Sequence, residues 1–133
     1  MIFGLKQSKE ARRKVMYTIY KEYHFSASHQ LEYLPKDHPC HRLHGHNYVV
    51  EVELQSHELN EYGFVRDYRE LDDLKSYIDE TLDHRHLNDV LGDNNVTAEQ
   101  LAKHIYDWCK GRWSEVCAVR VRETPKSCAE YRP

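Results

Sequence analysis

Two stretches of this chain alternate apolar and polar residues with period two, and one of them carries histidine on its apolar side. From Met16 to His29, the residues Tyr17, Ile19, Tyr23, Phe25 and Ala27 share one parity, interrupted by Lys21, while Thr18, Glu22, His24 and Ser26 take the other. From His44 to Gln55 the even positions are His44, His46, Tyr48, Val50, Val52 and Leu54, with Asn47, Glu51, Glu53 and Gln55 opposite. That alternation predicts two strands, each buried on one side. Pro35, Asp37 and Pro39 lie between them and cannot continue a ladder, so 30–43 is read as a loop.

The middle of the chain changes period. Asp67 and Glu70 have the spacing of a helix-capping box, and Leu71, Leu74, Ile78 and Leu82 then recur at three and four, which predicts a helix over 68–82. Thr97 and Gln100 repeat the device ahead of Leu101, Ile105, Trp108 and Cys109, predicting a second helix that ends near Gly111. Val116, Val119 and Val121 favour a third strand to about Glu123; a turn at Thr124-Pro125-Lys126 and a short fourth strand over Ser127–Tyr131 complete the order β-β-α-α-β-β. The expected class is α+β, one antiparallel sheet with both helices on one face.

Histidines on the apolar parity of a strand need an explanation, because an unpaired buried imidazole is costly and a neutral one is the commonest metal ligand. His44 and His46 point the same way from one strand, and His29 ends the neighbouring strand on its buried parity. Three neutral imidazoles suit Zn²⁺ with an open fourth position. His24, His38, His41, His57 and His104 show no matching pattern and are read as surface or loop residues. Cys40, three residues short of His44, is open to two readings: a fourth ligand, or a thiolate activated by a nearby cation. Asp83-His84 has the form of an imidazole oriented by a carboxylate. Glu123 shares parity with Cys117, Val119 and Val121, so its carboxylate either faces the apolar side and holds a ring with parallel N–H donors, or lies past the strand end in water or beside Arg120 or Arg122.

Length and charge set the frame. A chain of 133 residues predicts one domain, and a formal charge of −3 gives no basic face for nucleic acid or anionic membrane. No apolar run approaches membrane-spanning length. Four cysteines without a C-x-x-C pair, and no signal-peptide core, point to a reducing cytoplasm. Residues 1–15, basic and without apolar periodicity, are read as a solvated extension, with a single domain over 16–133. Ten Tyr make up much of the 40% hydrophobic class, and Tyr buries well at interfaces, so an oligomer is expected.

These features coincide in a known family. The segments Phe25-Ser26-Ala27-Ser28-His29, Cys40-His41-Arg42-Leu43-His44-Gly45-His46-Asn47-Tyr48, Gly63-Phe64-Val65-Arg66-Asp67, Leu82 to Asn88, Thr97-Ala98-Glu99 and Val121-Arg122-Glu123-Thr124 together resemble the 6-pyruvoyl-tetrahydropterin synthase/6-carboxytetrahydropterin synthase family. The resemblance implies the tunnelling fold, with sheets of several subunits closing into a barrel, a homohexamer of two trimers, and active sites between subunits. It implies that His29, His44 and His46 bind zinc, that Cys40, Asp83 and His84 transfer protons, and that Glu123 and Thr97 bind the pterin. The spacing C-x₃-H-G-H resembles the 6-carboxytetrahydropterin synthase branch of 7-deazaguanine (queuosine precursor) biosynthesis, whose substrate is a pterin triphosphate, whereas pyruvoyl-forming members resemble C-x₅-H-G-H. Arg85 departs from the family pattern, which more often has His or Tyr there. A non-catalytic zinc or pterin-binding protein, with Cys40 closing the metal shell, is the more distant alternative.

Overall fold

In the computed structural model, which describes residues 15–133, β1 (Tyr17–His29) and β2 (His44–Ser56) pair antiparallel over their whole length. The register sets Tyr23 opposite Val50, Phe25 opposite Tyr48, Ala27 opposite His46 and His29 opposite His44. One parity is therefore continuous across both strands and carries the core residues Tyr23, Phe25, Tyr48, Val50, Val52 and Leu54, all buried. Phe25 and Tyr48 stack with ring centroids 5.2 Å apart. The expected extension over 1–15 lies, apart from exposed Val15, outside the described residues.

β3 (Val116–Arg122) pairs with β2, and β4 (Ala129–Tyr131) with β3, giving an antiparallel sheet in the order β1-β2-β3-β4. β3 stops one residue short of Glu123, and β4 is shorter than the expected 127–131. Val119 and Val121 meet Val52 and Val50 as their parity requires, but a register shift at Glu53/Leu54 then sets Val116 rather than Cys117 opposite Leu54. Cys117 is the residue displaced by this bulge. Its parity with Val119 and Val121 is thereby broken: the thiol turns to the far side of the sheet and donates to Glu53 Oε2 at 2.8 Å.

The helical stretch over 68–82 forms in three parts, a 3₁₀ turn at Tyr68–Leu71, helix α1 (Asp72–Tyr77) and a π turn at Ile78–Leu82. Its predicted stripe, Leu71, Leu74, Ile78 and Leu82, is fully buried. Asp67 caps the 3₁₀ turn by accepting from Arg69 N–H at 2.9 Å, whereas Glu70 pairs with Arg66 instead of closing the box. A short helix that the sequence pattern did not predict, α2 (Leu87–Leu91), stops at left-handed Gly92, and α3 (Ala98–Lys110) carries the complete Thr97/Gln100 capping box. These helices cover the apolar face of the sheet in one core cluster, where each fully buried aliphatic side chain contributes about 1.5–3 kcal/mol. No helix among the described residues is long and apolar enough to cross a membrane.

On the opposite face Glu53 is itself buried, at 2% exposure. Arg132 holds it with two hydrogen bonds of 2.7 and 3.0 Å, and Arg120 adds a third of 2.6 Å. The Arg132 guanidinium outweighs the opposing effect of burial and, with Cys117 and Arg120, holds the Glu53 carboxyl at about 2. A carboxyl lowered in the folded state stabilises above its unfolded pKa and loses that contribution as pH falls through the folded one. Urea unfolding of wild-type and Glu53→Gln protein should thus differ by up to about 3 kcal/mol above pH ~4.5, with the gap closing towards pH ~2; a gap independent of pH would show that Glu53 is not ionised in the fold.

Candidate active site

The β1–β2 register brings the three sequence-predicted imidazoles to one point. His29, His44 and His46 each present a ligand atom within 4.8 Å of the others, with ring centroids 4.4 Å apart for His29 and His44 and 5.0 Å for each pair with His46. Two tautomers are set by backbone. His29 Nδ1 donates to Val96 O at 2.7 Å and His44 Nδ1 to Arg42 O at 2.6 Å, leaving each Nε2 with its lone pair. Burial further holds the His29 imidazole below its usual pKa, which favours the neutral ligand form.

The Nε2 atoms of His29 and His46 are buried without a hydrogen-bond partner among the described residues. Two orphaned ring nitrogens in one place are costly unless something binds them, and neutral imidazole nitrogen is what a divalent transition metal takes. The hydroxyl of Tyr48 is also buried and without a partner, its ring 5.6 Å from that of His46. Its parity placed it beside the histidines, but nothing in the sequence marked its hydroxyl. The carbonyls of Val96 and Arg42, which orient two of the imidazoles, have no side-chain signature at all.

Glu123, just past the end of β3, is half-buried with Oε2 3.5 Å from His46 Nε2. The cavity it lines, of about 280 Å³, also has Leu31, Thr97, Val121 and Cys128 in its wall. Thr97 and Glu123 thus meet in one cavity, although the Thr97 hydroxyl is also engaged as the cap of α3. Arg120, the suggested alternative partner of Glu123, is occupied by Glu51, Glu53 and Glu130.

Asp83 and His84 sit on the free edge of β1. The π turn ends with Asp83 N–H bonded to Ile78 O at 2.8 Å, which releases the chain sideways onto the strand. The Asp83 carboxylate accepts from Ser26 N–H at 3.0 Å and lies 2.9 Å from His84 Nδ1. The Ser26 amide, and then His84, hold its pKa below the ordinary range. His84 takes a left-handed backbone with φ of 57°, donates its N–H to Ser26 O, and leaves its side chain 82% exposed. Asn88 closes the attachment by bonding both backbone groups of Gln30, at 2.9 and 2.8 Å; it was not singled out in the sequence, where only its place in the Leu82–Asn88 motif marked it.

Cys40 occupies a short 3₁₀ turn, Pro39–His41, and is half-buried with its amide bonded to His38 Nδ1. Among the described residues no hydrogen bond joins it to Asp83 or His84. Of the histidines read as surface or loop, His24, His38 and His57 are exposed, but His104 is not: it packs on Tyr77, accepts or donates a 2.6 Å bond with that hydroxyl, and has its pKa lowered by burial. Its position in the second predicted helix, one residue from buried Ile105, explains the correction.

A four-stranded antiparallel sheet backed by helices, with a trihistidine cluster at one end, defines the class: an α+β protein with a candidate metal site. A family profile described as 6-pyruvoyl tetrahydropterin synthase matches residues 18–133, and the chain belongs to that family of pterin synthase lyases. It is 36% identical over 129 residues to the 6-carboxy-5,6,7,8-tetrahydropterin synthase of Synechocystis sp., covering 87% of this chain and 93% of that protein. Identity is 32% over 138 residues to the protein of the same name from Bacillus subtilis, covering 93% and 90%. The solved structure of Caenorhabditis elegans 6-pyruvoyl tetrahydropterin synthase superposes with a TM-score of 0.78 at 29% identity, covering 89% of this chain and 96% of that one. The resemblance read from the motifs is borne out.

If the three imidazoles are the metal's protein ligands, replacing His44 with Ala should reduce bound metal after dialysis from about one per chain to under about a tenth, with the far-ultraviolet circular dichroism unchanged. A full equivalent of metal retained by that variant would contradict the assignment.

Proposed function

We propose that this chain is a zinc-dependent 6-carboxy-5,6,7,8-tetrahydropterin synthase, converting 7,8-dihydroneopterin triphosphate to 6-carboxytetrahydropterin, acetaldehyde and triphosphate in the cytoplasm, as a step of 7-deazaguanine (queuosine) formation. The observation that carries the reading is the placement of Glu123 3.5 Å from a metal-facing histidine and in the same cavity wall as Thr97. A carboxylate there can accept two parallel N–H donors of a pterin ring, fixing its distance from the histidines. The C-x₃-H-G-H spacing and the relatives from Synechocystis and Bacillus subtilis, both named 6-carboxy synthases, favour this product.

Zinc, when held by His29, His44 and His46, supplies Lewis acidity towards the side-chain hydroxyls of the substrate. The remaining work falls to the protein. The Cys40 thiolate takes a proton from the substrate side chain, and His84, oriented through Nδ1 by Asp83, holds and returns protons as the side chain is cleaved. Burial of Tyr48 and His29 beneath the site limits water on that side. The exposure of His84, with no hydrogen bond to Cys40 among the described residues, supports an active site completed by a neighbouring copy, in a homohexamer of two trimers whose sheets form a barrel.

Zinc-loaded protein incubated with dihydroneopterin triphosphate should release acetaldehyde together with a 6-carboxy pterin. A 6-pyruvoyl pterin with eliminated triphosphate would replace this reading by the pyruvoyl-forming one, and no consumption at full zinc occupancy would overturn both. Cys40→Ala should keep its zinc while losing about 10²-fold or more in kcat; zinc lost on that substitution would make Cys40 a ligand.

A further inference from the structure

A cleft at the β1–β2 ribbon, separate from the Glu123 cavity, borders the histidine cluster through His46. It measures about 490 Å³ and runs beneath the Asp83–His84 turn, with Ser26, Ser28, Asn47, His84, Arg85 and His86 in its wall. The chain has 22 acidic residues and a net charge of −3, yet no carboxylate lines this cleft among the described residues. Its polar groups are instead biased towards donors. The Asn47 side-chain oxygen accepts from the Ser26 hydroxyl at 2.7 Å, which leaves the amide NH₂ to donate. His86 Nδ1 is bonded to the Ser28 hydroxyl at 2.9 Å, and where that nitrogen accepts, Nε2–H is left to donate; the neutral His84 ring, with Nδ1–H on Asp83, presents Nε2 as an acceptor. Gly45, across the ladder from Ser28, adds no side chain to the opening.

Arg85 is the cation of this cleft. Arg66, Arg69, Arg112, Arg120 and Arg132 each stand against a carboxylate. Arg85, like Arg42 and Arg122, has no carboxylate partner among the described residues; it makes a 3.4 Å contact with the Glu80 carbonyl and is exposed. A guanidinium offers a planar fork of donors that matches phosphate oxygens two at a time, and the carboxylate bordering the cleft, Asp83, is already engaged by Ser26 N–H and His84. The backbone holds the fork in place: the carbonyl of Arg85 accepts from Ser28 N–H at 3.1 Å, and His86 bridges to Ser28 in the parallel sense.

We propose that this cleft is a polyphosphate subsite, in which Arg85, with the Asn47 amide and the His86 ring beside it, binds the triphosphate chain of the substrate. The inference rests on the reading of the substrate as a pterin triphosphate ester. It places the anion next to His84, so one turn of chain presents both the proton-transferring imidazole and the charge that anchors the leaving end of the molecule. Arg85 acts in binding and takes no proton.

The test uses zinc-loaded wild-type protein, Arg85→Gln, Arg85→Lys, and Arg69→Gln as a charge-matched control distant in role, since Arg69 pairs with Asp67. Arg85→Gln should raise KM for dihydroneopterin triphosphate by about 10- to 100-fold while kcat changes much less, and should weaken inhibition by inorganic triphosphate by a similar factor. Arg85→Lys should recover part of both effects, and Arg69→Gln should show neither. Zinc content and the affinity for dihydroneopterin, which has no phosphate, should be the same in all four proteins. Weakened inorganic triphosphate without a change in KM would mean that the cleft binds free anion and not the substrate arm, and would overturn the proposal, as would unchanged KM and inhibition. If the wild type turns over no pterin at all, the functional reading fails; calorimetric titration with inorganic triphosphate still reports whether Arg85 makes an anion site.

Discussion

The in-register pairing of His29 with His44 is the constraint on which the site depends. Side chains alternate across a strand, so a slip of one residue between β1 and β2 would send His44 and His46 to the opposite face from His29. The slip is opposed by the whole ladder: it would expose Tyr48, Val50, Val52 and Leu54, each at most 1% exposed, and lose about 1.5–3 kcal/mol for each large apolar side chain turned out. The geometry of the histidine cluster is in this sense a by-product of core packing further along the same two strands. The carbonyls of Val96 and Arg42 then set the ring orientations, which ties the loop before α3 and the loop before β2 into the same centre.

The other parity of β1 is used as well. Ser26 presents its amide and carbonyl, and Ser28 its amide and hydroxyl, to the Leu82–Asn88 segment, which docks on the strand edge through six hydrogen bonds to Ser26, Ser28 and Gln30. One strand therefore carries a histidine of the candidate metal cluster at its end and, along its edge, the anchor for Asp83 and His84. The π turn and the left-handed His84 are the local irregularities that make this docking possible, and an imidazole on a non-glycine residue with φ of 57° is held there by the bonds around it.

The structure treats its two buried polar groups differently. Glu53 is fully satisfied by Arg132, Arg120 and Cys117, as a carboxylate removed from water must be. The histidine nitrogens are left open although they are equally shielded. A closed network stiffens the sheet; an open one makes a binding site.

Much of this was legible because period and parity are written in the side chains. β1 and β2 follow from alternation, the helical stretch over 68–82 from its leucines, and the clustering of His29, His44 and His46 from histidines on the buried parity. What escaped depends on backbone irregularity. The bulge that turns Cys117 away, the π turn before Asp83, and the short helix Leu87–Leu91 each involve one turn or one extra residue, too little to alter a pattern. His104 was misplaced because a single polar residue at the border of an apolar stripe reads as solvent-facing until its partner, here Tyr77, is known. Whether Cys40 completes the metal shell could not be read from its spacing.

X-ray absorption at the zinc edge of the loaded protein puts that question most directly. Three imidazoles and a light-atom fourth position predict a first shell of nitrogen or oxygen near ~2.0–2.1 Å with imidazole multiple scattering and no sulfur; a sulfur shell near ~2.3 Å would contradict the trihistidine centre and make the thiol a ligand.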